Sequence, residues 1–467
     1  MELPKAFVQN MQQQLGDHEA AQLCCALCGD DTPVSIRLNP LKWGGGETAM
    51  AERAYSPVPW CKSGYYLPER PAFTLDPLFH AGCYYVQEAS SMFIEQAWHT
   101  LRQILQTEGE ADAPCPLLDL CAAPGGKSTL WRTLLPDGDW LVANEPNRQR
   151  AEILNENLIK WGHPRVLVTN AYAADFAAYA PGRFRVVATD VPCSGEGMFR
   201  KDVASRGEWS PENVEKCAAL QRSIIEDVWP ALQAGGFLIY STCTFNAQED
   251  EDNVRWIVEH LGASVVPIPV AEEWGIVPSR CTEAPDSWGY HFYPHRARGE
   301  GFFLCLLRKS LNHKPVGSLA KERKEFRPTT ANYSADRNNY SADRNNFSAD
   351  RKNYRRTKKN SPSGKTQPPV EPFDQIRHFD WTPYVRKGSK EVPQHVLAMN
   401  PATACQFPQC ELTLAQALSY LRRESLCIDA PRGFVVVCYQ GHPLGFVNNL
   451  GSRANNLYPQ EWRIRHL

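Results

Sequence analysis

The sequence predicts an α/β fold centred on a doubly wound, mostly parallel sheet. Between Pro116 and Lys309, strand-like apolar runs alternate with helix-like segments. Each strand run is apolar throughout, as strands covered on both faces are. Before Pro116 and after Lys309 this regularity is missing, so smaller units flank the centre.

The elements follow in order. "PLLDLCAAP" reads as the first strand, "STLWRTLL" as a helix, "DWLVANE" as the second strand and "NRQRAEILNENLIKWG" as an amphipathic helix. "RVLVTNA" and "RFRVVATDVP" give the third and fourth strands. Ser210 caps the next helix and Pro211 occupies its first turn. "GGFLIYSTCTF" is the fifth strand, and Asn246 with Glu249 reads as a capping box opening "AQEDEDNVRWIVEHL". "GASVVPIPV" and "GEGFFLCLLRK" complete the sheet as a final pair.

Four segments result: 1–85, 86–310, a linker over 311–371, and a small domain over 372–467 ending in a hairpin with a "GHP" turn. The linker carries "YSADRNN", "YSADRNN" and "FSADRKN" at period seven. One aromatic per heptad cannot supply the two apolar positions of a coiled-coil seam, so the repeat reads as a disordered basic linker. Residues 321–365 hold thirteen Lys or Arg against five Asp or Glu, and a net charge of −2 leaves the rest near −10. A basic strap on an acidic body suggests an anionic partner, although solvated linkers are often charged without one.

No stretch approaches the roughly 20 apolar residues of a membrane span. The first twenty residues have neither the basic nor the apolar region of an export signal, so a cytoplasmic location with mostly reduced cysteines is expected. Cys25 and Cys28 form a C-x-x-C without the second pair of a zinc ribbon and read as core filler, as do Cys405 and Cys410; no metal is expected.

In open parallel sheets ligands lie beyond the carboxyl ends of the strands. The first strand ends in "DLCAAPGGKST", where Gly125 and Gly126 allow the backbone to approach a ligand and the next helix offers free amides. A P-loop would need glycine at residue 121, which is Cys121, and Pro124 removes an amide such a loop would use. A nucleotide hydrolase is therefore a poor fit. Glu145, eighteen residues past Lys127, can accept hydrogen bonds from ribose hydroxyls, although surface carboxylates are common at helix starts. Loop, acid and spacing favour S-adenosylmethionine.

Two cysteines mark adjacent strand ends: Asp190-Val191-Pro192-Cys193 after the fourth, Thr242-Cys243-Thr244 after the fifth. Carbon 5 of a pyrimidine is a poor nucleophile. A thiolate added to carbon 6 makes an enamine whose carbon 5 can attack a methyl sulfonium. A free thiol of pKa about 8.5 is only slightly ionised at neutral pH, and helix N-termini after both motifs are expected to lower that value. Asp190 can hydrogen-bond ring nitrogen 3, which favours cytosine. Buried cysteines are usually core residues, and a redox pair is the other alternative.

"DLCAAPGGKST", "NEPNRQRAEIL", "DVPCSGEGMFRKD" and "YSTCTFNAQEDEDNV" resemble the successive motifs of the RNA (cytosine-5)-methyltransferases of the Sun/Nop family, most of all its bacterial RsmF-type branch. "SIRLNPLK" and "AGCYYVQEASSMF" resemble that family's front RNA-binding region, and "NNLYPQEWRI" its PUA-like tail module. The resemblance implies a Rossmann-like methyltransferase core between an N-terminal α+β region and a C-terminal PUA-like β domain. It implies Cys243 as nucleophile, Cys193 in product release, and cofactor contacts from Cys121, Ala122, Ala123, Pro124, Gly125, Gly126, Lys127, Glu145 and Asp190.

The implied substrate is cytosine in the decoding region of 16S rRNA, in the 30S subunit, acted on by a monomer. Transfer RNA is the nearest alternative, and a catalytically silent RNA-binding scaffold is another. Arg200 and Lys201 are candidates to grip a phosphate beside a flipped base, against a plain solvated loop. One departure stands out. A further cofactor-side acid common in the family falls at Tyr172, with Asp175 nearby.

Overall fold

The computed structural model describes residues 2–43, 55–280, 287–311 and 373–465. The seven-residue repeat and the linker expected over 311–371 fall outside these residues, save Leu311 at the linker's front edge.

After two helices, Lys5–Leu15 and Asp17–Cys28, comes a small antiparallel sheet. Its strands are β1 (Val34–Leu38), β2 (Ser56–Pro57), β3 (Gly64–Leu67) and β4 (Tyr84–Val86), in the order β2-β3-β1-β4. The second helix buries Ala20, Leu23 and Leu27. Cys25 and Cys28 lie on its other face and are exposed, as Cys405 is, so the expectation of core filler fails for these three; Cys410 is half-buried and packs against a core of the tail. A helix hides one stripe only, and Cys25 and Cys28 fall off it.

The central nine-stranded sheet begins with β5 (Leu117–Asp119), β6 (Leu141–Asn144), β7 (Val166–Thr169), β8 (Phe184–Asp190) and β9 (Leu232–Thr242). These five are parallel in the order β7-β6-β5-β8-β9, so the chain changes direction between β5 and β8. The expected final pair is present, with β10 (Ala263–Val265) antiparallel to β13 (Phe302–Lys309), which in turn pairs with β9. Sequence reading missed β11 (Val277–Arg280) and β12 (Ser287–Phe292), which extend this edge.

Helices cover both faces. Ser210 Oγ accepts from Asn213 N at the start of Pro211–Val228, as expected. The helix Arg148–Trp161 is capped by Asn147, buries Ala151, Leu154 and Leu158 at helical spacing, and stops at Gly162 in the left-handed region, φ 87°.

The tail has the hairpin β14 (Tyr384–Lys387) and β15 (Lys390–Pro393), then β16 (Gln409–Glu411), β17 (Gly433–Tyr439), β18 (His442–Asn449) and β19 (Ala454–Asn456) as one sheet. The turn between β17 and β18 is Gln440-Gly441, with φ of 51° and 76°, rather than "GHP"; His442 and Pro443 already pair with β17 across a bulge. Several cores cross the expected segment boundaries, among them these two. Val58, Trp60 and Tyr66 pack with Phe93, Leu117 and Phe292. Ile36, Leu38, Tyr65 and Leu67 pack with Leu412, Tyr420, Val435 and Tyr458 of the tail.

Candidate active site

Parallel pairing places Asp190 beside Ser241 at the ends of β8 and β9. Three residues further on, Cys193 Sγ lies 3.3 Å from Cys243 Sγ. The two thiols expected on one rim are in contact.

The turns that carry them are fastened by two buried carboxylates that sequence reading did not assign to the site. Glu196 accepts from Thr244 Oγ1 at 2.6 Å, Phe245 N at 2.7 Å, Asn246 Nδ2 at 3.1 Å and Trp209 Nε1 at 3.0 Å. Glu249 accepts from Ser194 N at 3.0 Å, Gln221 Nε2 at 2.7 Å and Asn246 Nδ2 at 2.8 Å. Asn246 thus ties both acids together. The expected capping box is therefore something else: Asn246 Oδ1 accepts from Glu249 N, but the next helix starts only at Glu251, and Glu249 reaches back to the Cys193 turn. The signal available in sequence was an acid three residues after Cys193 and another six after Cys243.

Burial raises both carboxyls, Glu249 to about 7. Cys193 is pushed well above the usual thiol value, first by its hydrogen bond with Cys243 and then by burial, with Glu249 adding to the effect. This overturns, for Cys193, the expectation that a helix N-terminus lowers it. Only a short 3-10 turn, Glu196–Met198, follows that cysteine, and it brings an acid with it.

On the other side of Asp190 lies the loop after β5. Lys127 Nζ donates to Asp190 Oδ2 at 2.8 Å, and Ser241 Oγ donates to Asp190 Oδ1 at 3.0 Å. Burial works against the Lys127 charge, but Asp190 outweighs it and the ammonium is held above its ordinary value, with the Cys243 sulfur among the groups that help. Gly125 adopts φ 115°, and a Cβ there would come 3.2 Å from Leu154 Cδ1; one on Gly126 would come 3.2 Å from Tyr85 Cε1. What these glycines allow is close approach of protein on the loop's outer side.

The loop carbonyls are taken up in turn: Ala123 O accepts from Arg150 Nη2 at 3.0 Å, Pro124 O from Asn157 Nδ2 at 2.8 Å, Gly126 O from Arg37 Nη2 at 3.2 Å. Ala122 and Ala123 are buried, and Cys121 Sγ accepts from Thr189 Oγ1 at 3.6 Å; burial pushes its thiol up to about 12. Asp119, fully buried beneath the loop, accepts from Ser128 Oγ at 2.6 Å, and burial raises it to about 7.

Glu145 directly follows β6 and is 3% exposed. It accepts from Asn147 N at 2.9 Å and faces Arg150 at 3.6 Å; burial raises its carboxyl despite that cation. Asp175 accepts from Tyr172 N at 3.0 Å and caps the helix Ala173–Tyr179, so that acid is committed to a helix start.

Arg200 does not stand ready for a phosphate. It is buried in an ion pair with Glu300, Nε to Oε2 2.9 Å, and donates to Gly299 O at 2.6 Å. Lys201 is exposed. Among the described residues, the group with metal-ligand types close together is Asp250, Glu251 and His291, all within 4.8 Å. There His291 Nε2 and Glu251 Oε1 pair at 2.7 Å, and burial with the neighbouring Glu251 raises Asp250 far above its usual range. No helix among the described residues is long and apolar enough to cross a membrane.

Residues 3–89 match the N-terminal domain of 16S rRNA methyltransferase RsmF, residues 104–308 match 16S rRNA methyltransferase RsmB/F, and residues 407–464 match the methyltransferase RsmF PUA domain. Ribosomal RNA small subunit methyltransferase F of Erwinia tasmaniensis is 30% identical over 475 residues, covering 98% of this chain and 96% of that protein. The protein of the same name from Klebsiella pneumoniae is 30% identical over 478 residues, with 98% and 96% covered.

Among solved structures, a methyltransferase homolog from Pyrococcus horikoshii superposes with a TM-score of 0.53 at 24% identity, over 66% of this chain and 95% of that one. NSun6 from the same organism gives 0.52 at 19%, over 66% and 99%. The two solved structures show the shared fold. With relatives matched end to end and all three segments recognised, the chain belongs to the RsmF family of S-adenosylmethionine-dependent 16S rRNA methyltransferases.

Proposed function

We propose that this enzyme methylates carbon 5 of a cytosine in 16S rRNA, in the decoding region of the 30S subunit, through a covalent adduct between cysteine and carbon 6. The observation that carries this reading is the pair of thiols 3.3 Å apart beside Asp190. S-adenosylmethionine supplies the methyl group, and residues 121–127, Glu145 and Asp190 would hold it.

Cys243 Sγ adds to carbon 6 and leaves carbon 5 nucleophilic, while Asp190 hydrogen-bonds ring nitrogen 3. After methylation, carbon 5 loses its proton and the bond from carbon 6 to sulfur breaks, restoring the ring. Cys193 touches the departing sulfur, where it can give its own proton to the Cys243 thiolate and, so ionised, take up the proton that leaves carbon 5. Its raised pKa suits a proton carrier better than an attacking thiolate.

Residues 1–85 and 372–467 would supply RNA affinity around the catalytic residues 86–310, with Lys201 at a phosphate. The enzyme would work as a cytoplasmic monomer. The test is transfer of labelled methyl to 30S subunits, naked 16S rRNA and transfer RNA in parallel, followed by digestion to nucleosides. Label in 5-methylcytidine from 30S or 16S supports the reading. Label confined to transfer RNA overturns the substrate, and label in another nucleoside overturns the chemistry.

A further inference from the structure

We infer that Arg37 is a positioning residue through which the front region clamps the cofactor loop, so that RNA and S-adenosylmethionine bind cooperatively. Arg37 lies on β1 with 0% exposure. Its Nε donates to Gln87 Oε1 at 2.9 Å, and its Nη2 donates across to Gly126 O at 3.2 Å and to Thr129 Oγ1 at 2.5 Å, in the first turn of the helix Gly126–Leu134. Its guanidinium sits 4.6 Å over the Trp161 ring, on the helix that also supplies Arg150 and Asn157 to the loop. Tyr85, the β4 partner of Arg37, closes against Gly126.

One front-region cation therefore touches the loop and both helices beside it. Burying a guanidinium is costly unless it is well paired, and here Nη1 is buried without a hydrogen-bond partner. An aliphatic side chain would fill this space without that cost. What the charge adds is a fixed position for the Gly126 carbonyl. RNA that orders the front region then orders the loop, and by linkage the cofactor tightens RNA by the same factor.

The inference rests on residues 121–127 being the cofactor loop. Binding of S-adenosylhomocysteine and of a 16S rRNA fragment, each alone and in the presence of the other, tests it in wild type, Arg37→Met, Arg37→Lys and Thr129→Val, with melting curves for each. In wild type each ligand is expected to tighten the other by roughly fivefold or more. Arg37→Met should weaken S-adenosylhomocysteine by about tenfold and abolish the mutual tightening, as expected when one tie of a coupled pair is cut. The kinetic loss should fall on KM for S-adenosylmethionine more than on kcat, with Arg37→Lys partly restoring it. Thr129→Val, which removes the hydroxyl that accepts from Arg37 and donates to Gly126 O, carries the test if the Arg37 variants fail to fold.

Folded variants that keep wild-type affinity and tightening overturn the inference alone. A wild type that does not bind S-adenosylhomocysteine overturns the cofactor reading of the loop, and the inference with it.

Discussion

The loop 121–127 and the thiol-bearing turns sit side by side on one rim but are held by opposite means. Around the loop, donors from Arg37, Arg150 and Asn157 grip backbone carbonyls. Around the thiols, Glu196 and Glu249 accept from amides and hydroxyls. The first arrangement occupies the loop's acceptors and fixes its shape from outside. The second surrounds the thiols with negative or proton-holding groups, which fix geometry but do nothing to ionise Cys193. The ammonium of Lys127 at the junction is already paired to Asp190. The rim thus separates a rigid donor-held side from an acceptor-held side where protons are retained.

The largest break in this contrast comes from the thiols. Cys243→Ala should lose methyl transfer by about 10⁴-fold or more while binding S-adenosylhomocysteine as wild type does. Cys193→Ala should trap a protein–RNA adduct that survives a denaturing gel. An adduct from the Cys243 variant instead would exchange the two roles.

Next in size, Glu196→Ala leaves four buried donors without their acceptor and should cost on the order of 3 kcal/mol in urea unfolding. A cost below about 1 kcal/mol would mean that these donors find other acceptors and that Glu196 does not fasten the thiol turns.

The pH response separates the sides further. Glu249 is raised to about 7 in the fold, from an ordinary carboxyl value near 4.5. The folded state therefore binds the extra proton between these values, and its contribution to stability is fully present below about 4.5 and lost as pH rises through 7. Glu249→Gln has no such proton to lose. Melting temperatures of variant and wild type should diverge in the variant's favour from pH 5 to 7.5, and parallel curves would show that Glu249 does not titrate there.

The smallest effect is expected at Lys201. Lys201→Ala should weaken RNA binding a few-fold, lowering the salt slope by about 0.7 to 0.9 with no loss of stability. Arg200→Ala should instead act chiefly on stability, because it leaves Glu300 buried and unpaired.

The parallel sheet and the meeting of Cys193 with Cys243 were legible because both depend on local pattern: apolar runs, and motifs at strand ends whose neighbours follow from topology. β11 and β12 were not, because β12 sets the polar His291 between Tyr290 and Phe292, and its burial depends on pairing with β13. Arg200 misled because a cation in a polar loop looks solvated until Glu300, a hundred residues on, closes over it. Glu249 misled in the opposite way, since its spacing from Asn246 fits a local cap while its partners Ser194 and Gln221 are remote. Arg37 lies in "SIRLNPLK", which resembles the front region as a whole, but nothing in that stretch points to the carbonyl of Gly126, 89 residues on.

The apolar core shared by β1, β3 and the tail sets an order of events during synthesis. Ile36, Leu38 and Tyr65 leave the ribosome early, yet the surfaces that cover them, Leu412, Tyr420 and Tyr458, are made last. For most of translation the front sheet carries an uncovered greasy face while the central sheet is built behind it. A chain nicked anywhere between 312 and 372 after release would therefore travel as two fragments gripping one another, because the seam that joins them is the core itself.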